Sequence, residues 1–385
     1  MQVLHVSPYF PPTWAYGGIP RIVDGLTRAL VRQGVGCTVW TTDARDQRRS
    51  GTPADRDHHG VRVLSSRNLS NQLAYRHQLF LPLRDELDRL EGVDIVHLHG
   101  HRHLLNNRAV AWARQRGIPY VMTPNGTLPR HERKVGVKLA WDLLISGRIP
   151  RDAARLIAVS GSEAGQFVQD GYGAERVVRI PNGLELEEFS ELPREGSFKQ
   201  RWGIEGKVVA YLGQVSPRKG VEHLAAAFAG GGIPGATLVV GGNDMGGMAL
   251  ARQHADADVV FTGLLEGPER LALLVDADVL VYPSTREVFG LVPFEGLMCG
   301  TPAVVGGDCG CGELIAQAGA GLLVRHADVE GLRARILTLL RDEVAAGAMV
   351  KRGRRYVEQH LSFARVAEQH AALYDAVLTE ARGRP

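Results

Sequence analysis

Short apolar runs alternate with amphipathic stretches along the first half of the chain. Runs rich in Val, Ile and Leu predict strands at 3–6, 37–42, 94–99, 119–123 and 155–160. Apolar residues at helical spacing predict helices near 19–33, 106–116 and 163–169. Strand–helix alternation with apolar strands is typical of a parallel sheet covered on both faces.

The same alternation restarts in the second half, where strands are predicted at 207–213, 236–241, 259–263, 279–283 and 303–306. Between the halves, Pro181 and Gly183 end the first pattern and predict a hinge. We therefore expect an α/β protein with two doubly wound, Rossmann-like parallel-sheet domains, at 1–183 and 184–362, facing a central cleft. The helical tail at about 363–385 is expected to pack back on the first domain, with closure of the second domain as the alternative. Ligands of such sheets lie beyond the carboxyl ends of the strands.

Composition fits this picture, since 385 residues with 44% hydrophobic and 23% charged residues are ordinary for a two-domain globular protein. Four cysteines are too few for a disulfide framework, and Cys309 and Cys311 form a CxC pair unlike a zinc motif. No apolar run reaches the ~20 residues of a membrane span. The first residues predict a strand and not a signal peptide, so we expect a cytoplasmic location.

The net charge of +3 is unevenly distributed: residues 1–180 contain 25 Lys and Arg against 16 Asp and Glu, and residues 181–385 contain 20 against 26. Scattered solvated arginines explain this excess, and so does an anionic acceptor or a membrane surface; nucleic acid is not expected as a partner. The stretch 130–144 is basic at its start and apolar later. It predicts either a helix packed into the first domain or an interfacial helix that contacts the inner face of a membrane.

The strongest chemical signal follows the predicted strand 279–283. A loop containing Gly290 runs into a helix there, and Glu287 and Glu295 flank the turn. Free amides at a helix start beside a glycine form an anion site. Carboxylates at such a place are suited to sugar hydroxyls, although the helix dipole alone also favours acidic residues near a helix start.

This stretch resembles the E-x7-E element of the retaining GT-B glycosyltransferases of family 4. Further motifs of that family occur in order along nearly the whole chain, at 6–10 with Gly17-Gly18, 181–184, 213–220, 299–304 and 310–313.

The resemblance implies a role for each matching residue. Lys219, assisted by Arg218, would hold the donor diphosphate, Glu287 the donor sugar and Glu295 the nucleotide ribose. The remaining implied donor contacts come from Gly17, Gly18, Gln214, Phe289, Gly290 and Leu291. Acceptor contacts are expected from His99, Gly126 and Arg130, and Asn125 joins Lys219, Arg218 and Glu287 in the predicted catalytic set.

Two positions depart from the family. Gln214 stands where Arg is usual, so one charge partner of the diphosphate is missing, and Arg218 is a replacement candidate. Asn125 stands where His is common near the reaction centre. Asn donates and accepts hydrogen bonds but carries no proton near neutral pH.

The expected function is retaining transfer of a hexosyl group from a UDP- or GDP-sugar to a hydroxyl of a glycan, lipid-linked or other acceptor. Front-face substitution is expected without a cofactor or a metal. His97, His99, His101 and His103 raise a metal site as a less favoured alternative. A soluble-acceptor sugar synthase on the same fold and a non-catalytic sugar-nucleotide-binding protein are the alternative functions.

Overall fold

A computed structural model describes residues 1–13, 18–45, 55–84, 86–128 and 135–383. The chain forms two compact units, one comprising Met1–Gly183 with Phe363–Pro385 and the other Leu184–Ser362. Within the described residues, no helix is long and apolar enough to cross a membrane.

The first unit is built on an eight-stranded sheet in the order β3-β4-β2-β1-β5-β6-β7-β8, within the part of the chain that is described. Its strands are β1 Gln2–Val6, β2 Gly36–Thr42, β3 Asp55–His58, β4 Val61–Ser66, β5 Ile95–His99, β6 Tyr120–Thr123, β7 Arg155–Ala158 and β8 Val177–Arg179. All neighbouring strands are parallel except β3, which pairs antiparallel with β4 at the edge. The helices before the chain leaves this unit are α1 Ile19–Arg32, α2 Asn71–His77, α3 Leu104–Gln115, α4 Val135–Trp141, α5 Ile149–Asp152 and α6 Gly161–Gln169.

The second unit has a six-stranded parallel sheet in the order β11-β10-β9-β12-β13-β14. Its strands are β9 Lys207–Leu212, β10 Ala236–Gly241, β11 Val259–Gly263, β12 Val279–Tyr282, β13 Ala303–Gly306 and β14 Gly321–Val324. Its helices are α7 Ser197–Trp202, α8 Val221–Phe228, α9 Met248–Gln253, α10 Gly267–Asp276, α11 Val292–Cys299, α12 Gly310–Ala318, α13 Val329–Arg341 and α14 Glu343–Tyr356. The α/β fold class expected from the alternation is confirmed.

The last helix, α15 (Phe363–Arg382), belongs to the first unit and packs along α1. The Phe363 ring fills the space beside Gly25 and Gly183, where an added Cβ would lie 2.0 and 2.4 Å from ring atoms. Tyr374 and Val377 are buried in the same core cluster. Because each such buried apolar side chain contributes about 1.5–3 kcal/mol, α15 is a structural part of this unit.

The sequence patterns do not predict the edge hairpin β3–β4, which contains His58. Strand β3 has the sequence Asp-Arg-Asp-His, which shows no apolar alternation. Its side chains are held by polar contacts, since Nε2 of His58 lies 2.9 Å from Oδ1 of Asp24 on α1. A charged edge strand of this kind also protects the sheet from pairing with another chain.

The stretch 130–144 only partly matches its prediction. Residues 130–134 lie outside the described ranges, α4 follows, and the chain continues in a π-helical turn, Asp142–Ser146. Leu143 and Leu144 are 76% and 83% exposed. These apolar side chains therefore do not enter the core of the first unit.

Four buried histidines meet where β1, β5 and α15 pack together: His5, His97, His99 and His370. Nδ1 of His5 lies 3.0 Å from Nε2 of His99, and the two nitrogens of His97 lie 2.7 Å from the hydroxyls of Tyr374 and Thr123. Burial, with a smaller effect of His370, lowers the pKa of His5 to about 3. Burial lowers the pKa of His370 to about 4, despite its hydrogen bond with the Val366 carbonyl.

The lowered pKa values of these histidines predict that the first unit loses stability in acid. In the unfolded chain a histidine titrates near about pH 6.5, so the unfolded state binds more protons below that pH. Stability is fully present above roughly pH 6.5 and falls as the pH drops toward the lowered folded pKa values, by about 1.4 kcal/mol per pH unit for each histidine. Burial raises the pKa of Glu163 to about 7, which acts in the opposite direction but concerns one carboxyl group.

We expect the urea midpoint of the first unit to fall between pH 7 and pH 5, and to fall less in the variant His370→Phe. Denaturation curves at fixed ionic strength measure both. An unchanged wild-type midpoint over this range would contradict the interpretation that the four histidines are buried in their neutral form.

Candidate active site

The loop after β9 places a lysine in a buried position. Gly213 ends the strand with φ of +145°, and Pro217–Lys219 forms a single 3₁₀ turn. Gly220 follows with φ of +66°, and a Cβ there would lie 2.8 Å from the Pro283 carbonyl oxygen. Glycine therefore allows the loop after β9 to lie directly against the loop after β12.

The ammonium group of Lys219 is surrounded by two oxygen acceptors. Its Nζ donates to the Tyr282 hydroxyl at 2.6 Å and to Oε2 of Glu287 at 2.5 Å. The ammonium also lies 4.7 Å from the centroid of the Tyr282 ring. Burial is the main cause that raises the pKa of Tyr282 well above its usual range, so the phenol stays protonated. A buried cation is stabilised when it has such partners and is costly without them.

The loop after β12 presents backbone amides at the start of α11. Gly290 has φ of +84°, and a Cβ there would lie 2.8 Å from Sγ of Cys311 and 3.1 Å from the Tyr282 ring. The Gly310 amide donates to the Glu287 carbonyl at 2.8 Å and fixes the loop on α12. Phe289 is buried against Phe294, while Leu291 is the N-cap of α11 and makes no side-chain cap hydrogen bond. Such amides are available to an anion.

The second glutamate of the E-x7-E element is held by an arginine. Glu295 is 2% exposed, and its Oε2 accepts from Nη1 of Arg270 at 2.5 Å. The other Arg270 nitrogen donates to Oε1 of Glu188, also at 2.5 Å. Arg270 therefore bridges two carboxylates of the second unit and orients Glu295.

Arg218 and Gln214 also lie in the loop after β9. The Arg218 side chain is exposed, and its carbonyl accepts from the Thr285 amide at 2.9 Å. The Gln214 carbonyl accepts from the Tyr211 hydroxyl at 2.8 Å. The second unit thus brings together Gln214, Arg218, Lys219 and the loop from Glu287 to Leu291.

In the first unit, the loop after β6 contains Asn125 and Gly126, both with positive φ, of +49° and +77°. Oδ1 of Asn125 lies 3.5 Å from Nδ2 of Asn182; its own Nδ2 is buried, with no hydrogen-bond partner in the described part of the chain. The Gly126 amide donates to Oε1 of Glu163, and the Val159 amide donates to Oε2, both at 2.8 Å. Glu163 therefore holds the loop so that Asn125 presents an unused donor.

The other predicted residues of the first unit differ in placement. His99 is 1% exposed and lies in the histidine cluster at the end of β5. Gly18 is the N-cap of α1. Gly17 and Arg130 lie outside the described residues.

The four histidines of the alternative metal site do not lie on one strand. Strand β5 ends at His99, so His101 and His103 lie beyond it. His101 contacts Asp142, with 3.3 Å between Nε2 and Oδ1. Within the described residues, the histidines whose ring nitrogens lie within 4.8 Å of one another are instead His5, His97 and His99.

Models of known protein families match the sequences of both units. The model described as Glycosyltransferase Family 4 matches residues 16–188, and the model described as Glycosyl transferases group 1 matches residues 194–356. A D-inositol 3-phosphate glycosyltransferase of Nocardiopsis dassonvillei is 31% identical over 361 residues, covering 84% of this chain and 81% of the relative. The chain belongs to glycosyltransferase family 4.

Other relatives agree with this assignment. A glycogen synthase of Mycobacterium tuberculosis is 28% identical over 402 residues, covering 97% of this chain and 94% of the relative. Anabaena HepE, in a crystal structure with UDP-glucose, has a TM-score of 0.72 at 19% identity and covers 98% of this chain and 100% of its own. The predicted GT-B fold and transferase activity are confirmed.

Sequence reasoning missed three residues of this glycosyltransferase that act on the predicted ones: Tyr282, Arg270 and Glu163. Tyr282 carried a usable signal, because it ends a buried strand, where ligands of α/β sheets bind. Arg270 and Glu163 lie 25 and 37 positions from the groups they hold. No spacing rule links residues so far apart.

Tyr282→Phe is expected to weaken nucleotide binding at least about tenfold without unfolding the protein. The variant keeps the ring beside Lys219 and removes one hydrogen bond to a charged group, of the kind worth about 1.5–3 kcal/mol. Calorimetric titration with UDP and GDP measures the change. Tyr356→Phe is the matched control, because its hydroxyl lies 3.5 Å from Oε1 of Gln317, outside the two loops of the candidate site. Equal affinities of Tyr282→Phe and wild type would contradict a positioning role for this hydroxyl.

Proposed function

We propose that this glycosyltransferase moves a hexosyl group from a UDP- or GDP-sugar to a hydroxyl of a glycan or lipid-linked acceptor, with retention of the anomeric configuration. The observation that carries the proposal is the buried Lys219 ammonium held by Tyr282 and Glu287. A diphosphate is a stronger anionic partner than a single carboxylate and would take over this cation.

The donor would lie along the two loops of the second unit. Lys219 and Arg218 would face the phosphates, together with the amides of Phe289, Gly290 and Leu291. Glu287, released from Lys219, would accept hydrogen bonds from sugar hydroxyls. Gln214 would contact the diphosphate as a neutral group. The binding of UDP-glucose by HepE supports a nucleotide sugar as donor.

Glu295 would bind the ribose. One of its oxygens is engaged by Arg270, and a carboxylate has about four acceptor sites, so hydroxyl donors can still be accommodated. Because Arg270 fixes the carboxylate, the ribose would meet an acceptor that is already oriented.

The proposed reaction is a front-face substitution. The acceptor oxygen forms a bond with the anomeric carbon as the bond to the leaving phosphate oxygen breaks, and the hydroxyl proton passes to that phosphate oxygen. Lys219, Arg218 and the loop amides would stabilise the departing charge, so no metal ion is required in this scheme. Asn125 would donate its unpaired Nδ2 hydrogen to a hydroxyl near the reaction centre.

The acceptor is proposed to bind the first unit. Gly126 and His99 lie at the carboxyl ends of β6 and β5, and Gly17, Gly18 and Arg130 complete the proposed donor and acceptor contacts. The name of the glycogen synthase relative supports a glycan acceptor. The basic first half of the sequence favours an anionic or membrane-held acceptor.

Lys219→Gln is expected to lower kcat/KM at least about 100-fold, because a preorganised donor to the leaving group is commonly worth that much or more. Release of inorganic phosphate from UDP or GDP by a coupled phosphatase measures turnover with each sugar nucleotide. Lys351→Gln changes an exposed lysine of the same unit and should leave the rate unchanged. Donor binding without turnover in the wild type would favour the non-catalytic alternative.

Retention and metal independence are tested together. The anomeric proton coupling of the product, followed by NMR, is expected to match that of the donor. The rate should be unchanged in EDTA, because protein groups are proposed to neutralise the diphosphate. An inverted product or loss of activity restored by Mg²⁺ would contradict this mechanism.

A further inference from the structure

A concentrated apolar surface lies on the first unit, outside the site described above. Twelve large hydrophobic side chains are exposed within the described residues, and four of them fall in seven consecutive positions. They are Leu139, Leu143, Leu144 and Ile145, at 43%, 76%, 83% and 44% exposure. Clustered exposed apolar side chains mark an interaction surface more often than single ones do. We call these four residues the apolar patch.

The apolar patch adjoins a groove between α3 and the turn that follows α4. The groove has a volume of about 480 Å³ and is lined by the patch and by Val110, Ile149, Arg114 and Arg148, among other residues. Asp142, which also lines the groove, is buried and accepts two hydrogen bonds from Arg102, at 3.0 and 2.8 Å. These hydrogen bonds hold in place the turn that carries Leu143 and Leu144.

Positive charge surrounds this surface. Helix α3 and residues 135–152 contain five Lys and Arg against two Asp. Both aspartates are neutralised within the unit, since Asp142 pairs with Arg102 and Asp152 with Arg114. Arg148 and Arg151 are exposed beside the groove. Apolar side chains flanked by arginines fit the boundary of an anionic lipid bilayer, where the chains enter the acyl region and the guanidinium groups meet phosphates.

We propose that the apolar patch and the neighbouring arginines form a docking surface for an anionic membrane. It would place this glycosyltransferase at the lipid surface. This inference deepens the proposed function, since it gives the acceptor class as a hydroxyl-bearing molecule held in a bilayer. A second copy of the chain could also cover an apolar surface, but the excess of like charge around the patch opposes self-association.

Vesicle flotation of the full chain tests the docking surface. The probes are vesicles of phosphatidylcholine alone and vesicles with 30% phosphatidylglycerol, without donor. The wild type is expected to bind the anionic vesicles, and less so at high salt. Leu143→Ser/Leu144→Ser should lower the partition coefficient at least about tenfold, since two buried leucines are lost. Arg148→Gln/Arg151→Gln should lower it about fivefold per charge.

Leu69→Ser/Leu83→Ser is the matched control, because it removes two leucines of the same unit that are 62% and 52% exposed but lie outside the patch. It should bind vesicles like the wild type, and thermal melting establishes that all variants are folded. Absence of wild-type binding to anionic vesicles, or equal loss in the control, would overturn the proposal. So would a wild-type dimer in light scattering that the Leu143→Ser/Leu144→Ser variant dissociates, because a second copy then covers the patch. Lys219→Gln should still bind vesicles, so failure of catalysis and failure of docking give different results.

Discussion

Burial of the Lys219 ammonium sets the main constraint on the second unit. A buried cation needs close oxygen partners, and the Tyr282 hydroxyl and the Glu287 carboxylate supply them from β12 and the loop after it. These contacts require the loops after β9 and β12 to touch, and Gly220 permits that approach. The charge requirement and the backbone geometry therefore depend on each other, and a side chain at Gly220 would disturb both.

Both glutamates of the E-x7-E element are paired with cations, but in different ways. Glu287 is 24% exposed on its side chain and shares Lys219 with a neutral phenol, so an incoming anion can replace it. Glu295 is buried and shares Arg270 with a second carboxylate, which leaves that arginine committed to the protein. In the proposed function, the first pair would exchange partners when the donor binds, and the second would keep Glu295 in a fixed orientation. A planar guanidinium serves the second role well because it holds two carboxylates at fixed angles.

Sequence patterns predicted most of the sheets because buried parallel strands are continuous apolar runs, as in 207–213 against the observed Lys207–Leu212. They did not predict strand β3, whose four polar residues pair at an edge and bury little. For 130–144, periodicity identified a helix but could not decide whether Leu143 and Leu144 face the core or the surface, since both arrangements have the same pattern. The Lys219–Glu287 pair combines residues predicted separately, and their contact depends on tertiary structure.

In the first unit, a buried carboxyl group holds the loop that contains Asn125. Glu163 accepts hydrogen bonds from two backbone amides and thereby fixes the loop that carries Asn125. Burial raises the pKa of Glu163 to about 7, although both hydrogen bonds favour the ionised form. Within the described residues, Nδ2 of Asn125 is then a buried donor of this loop that has no hydrogen-bond partner. An amide carries no proton near neutral pH, so the Asn125 side chain could not act as a proton carrier at this loop. In the proposed front-face substitution the leaving phosphate would receive the proton, so an amide that only donates a hydrogen bond would be chemically sufficient at this position.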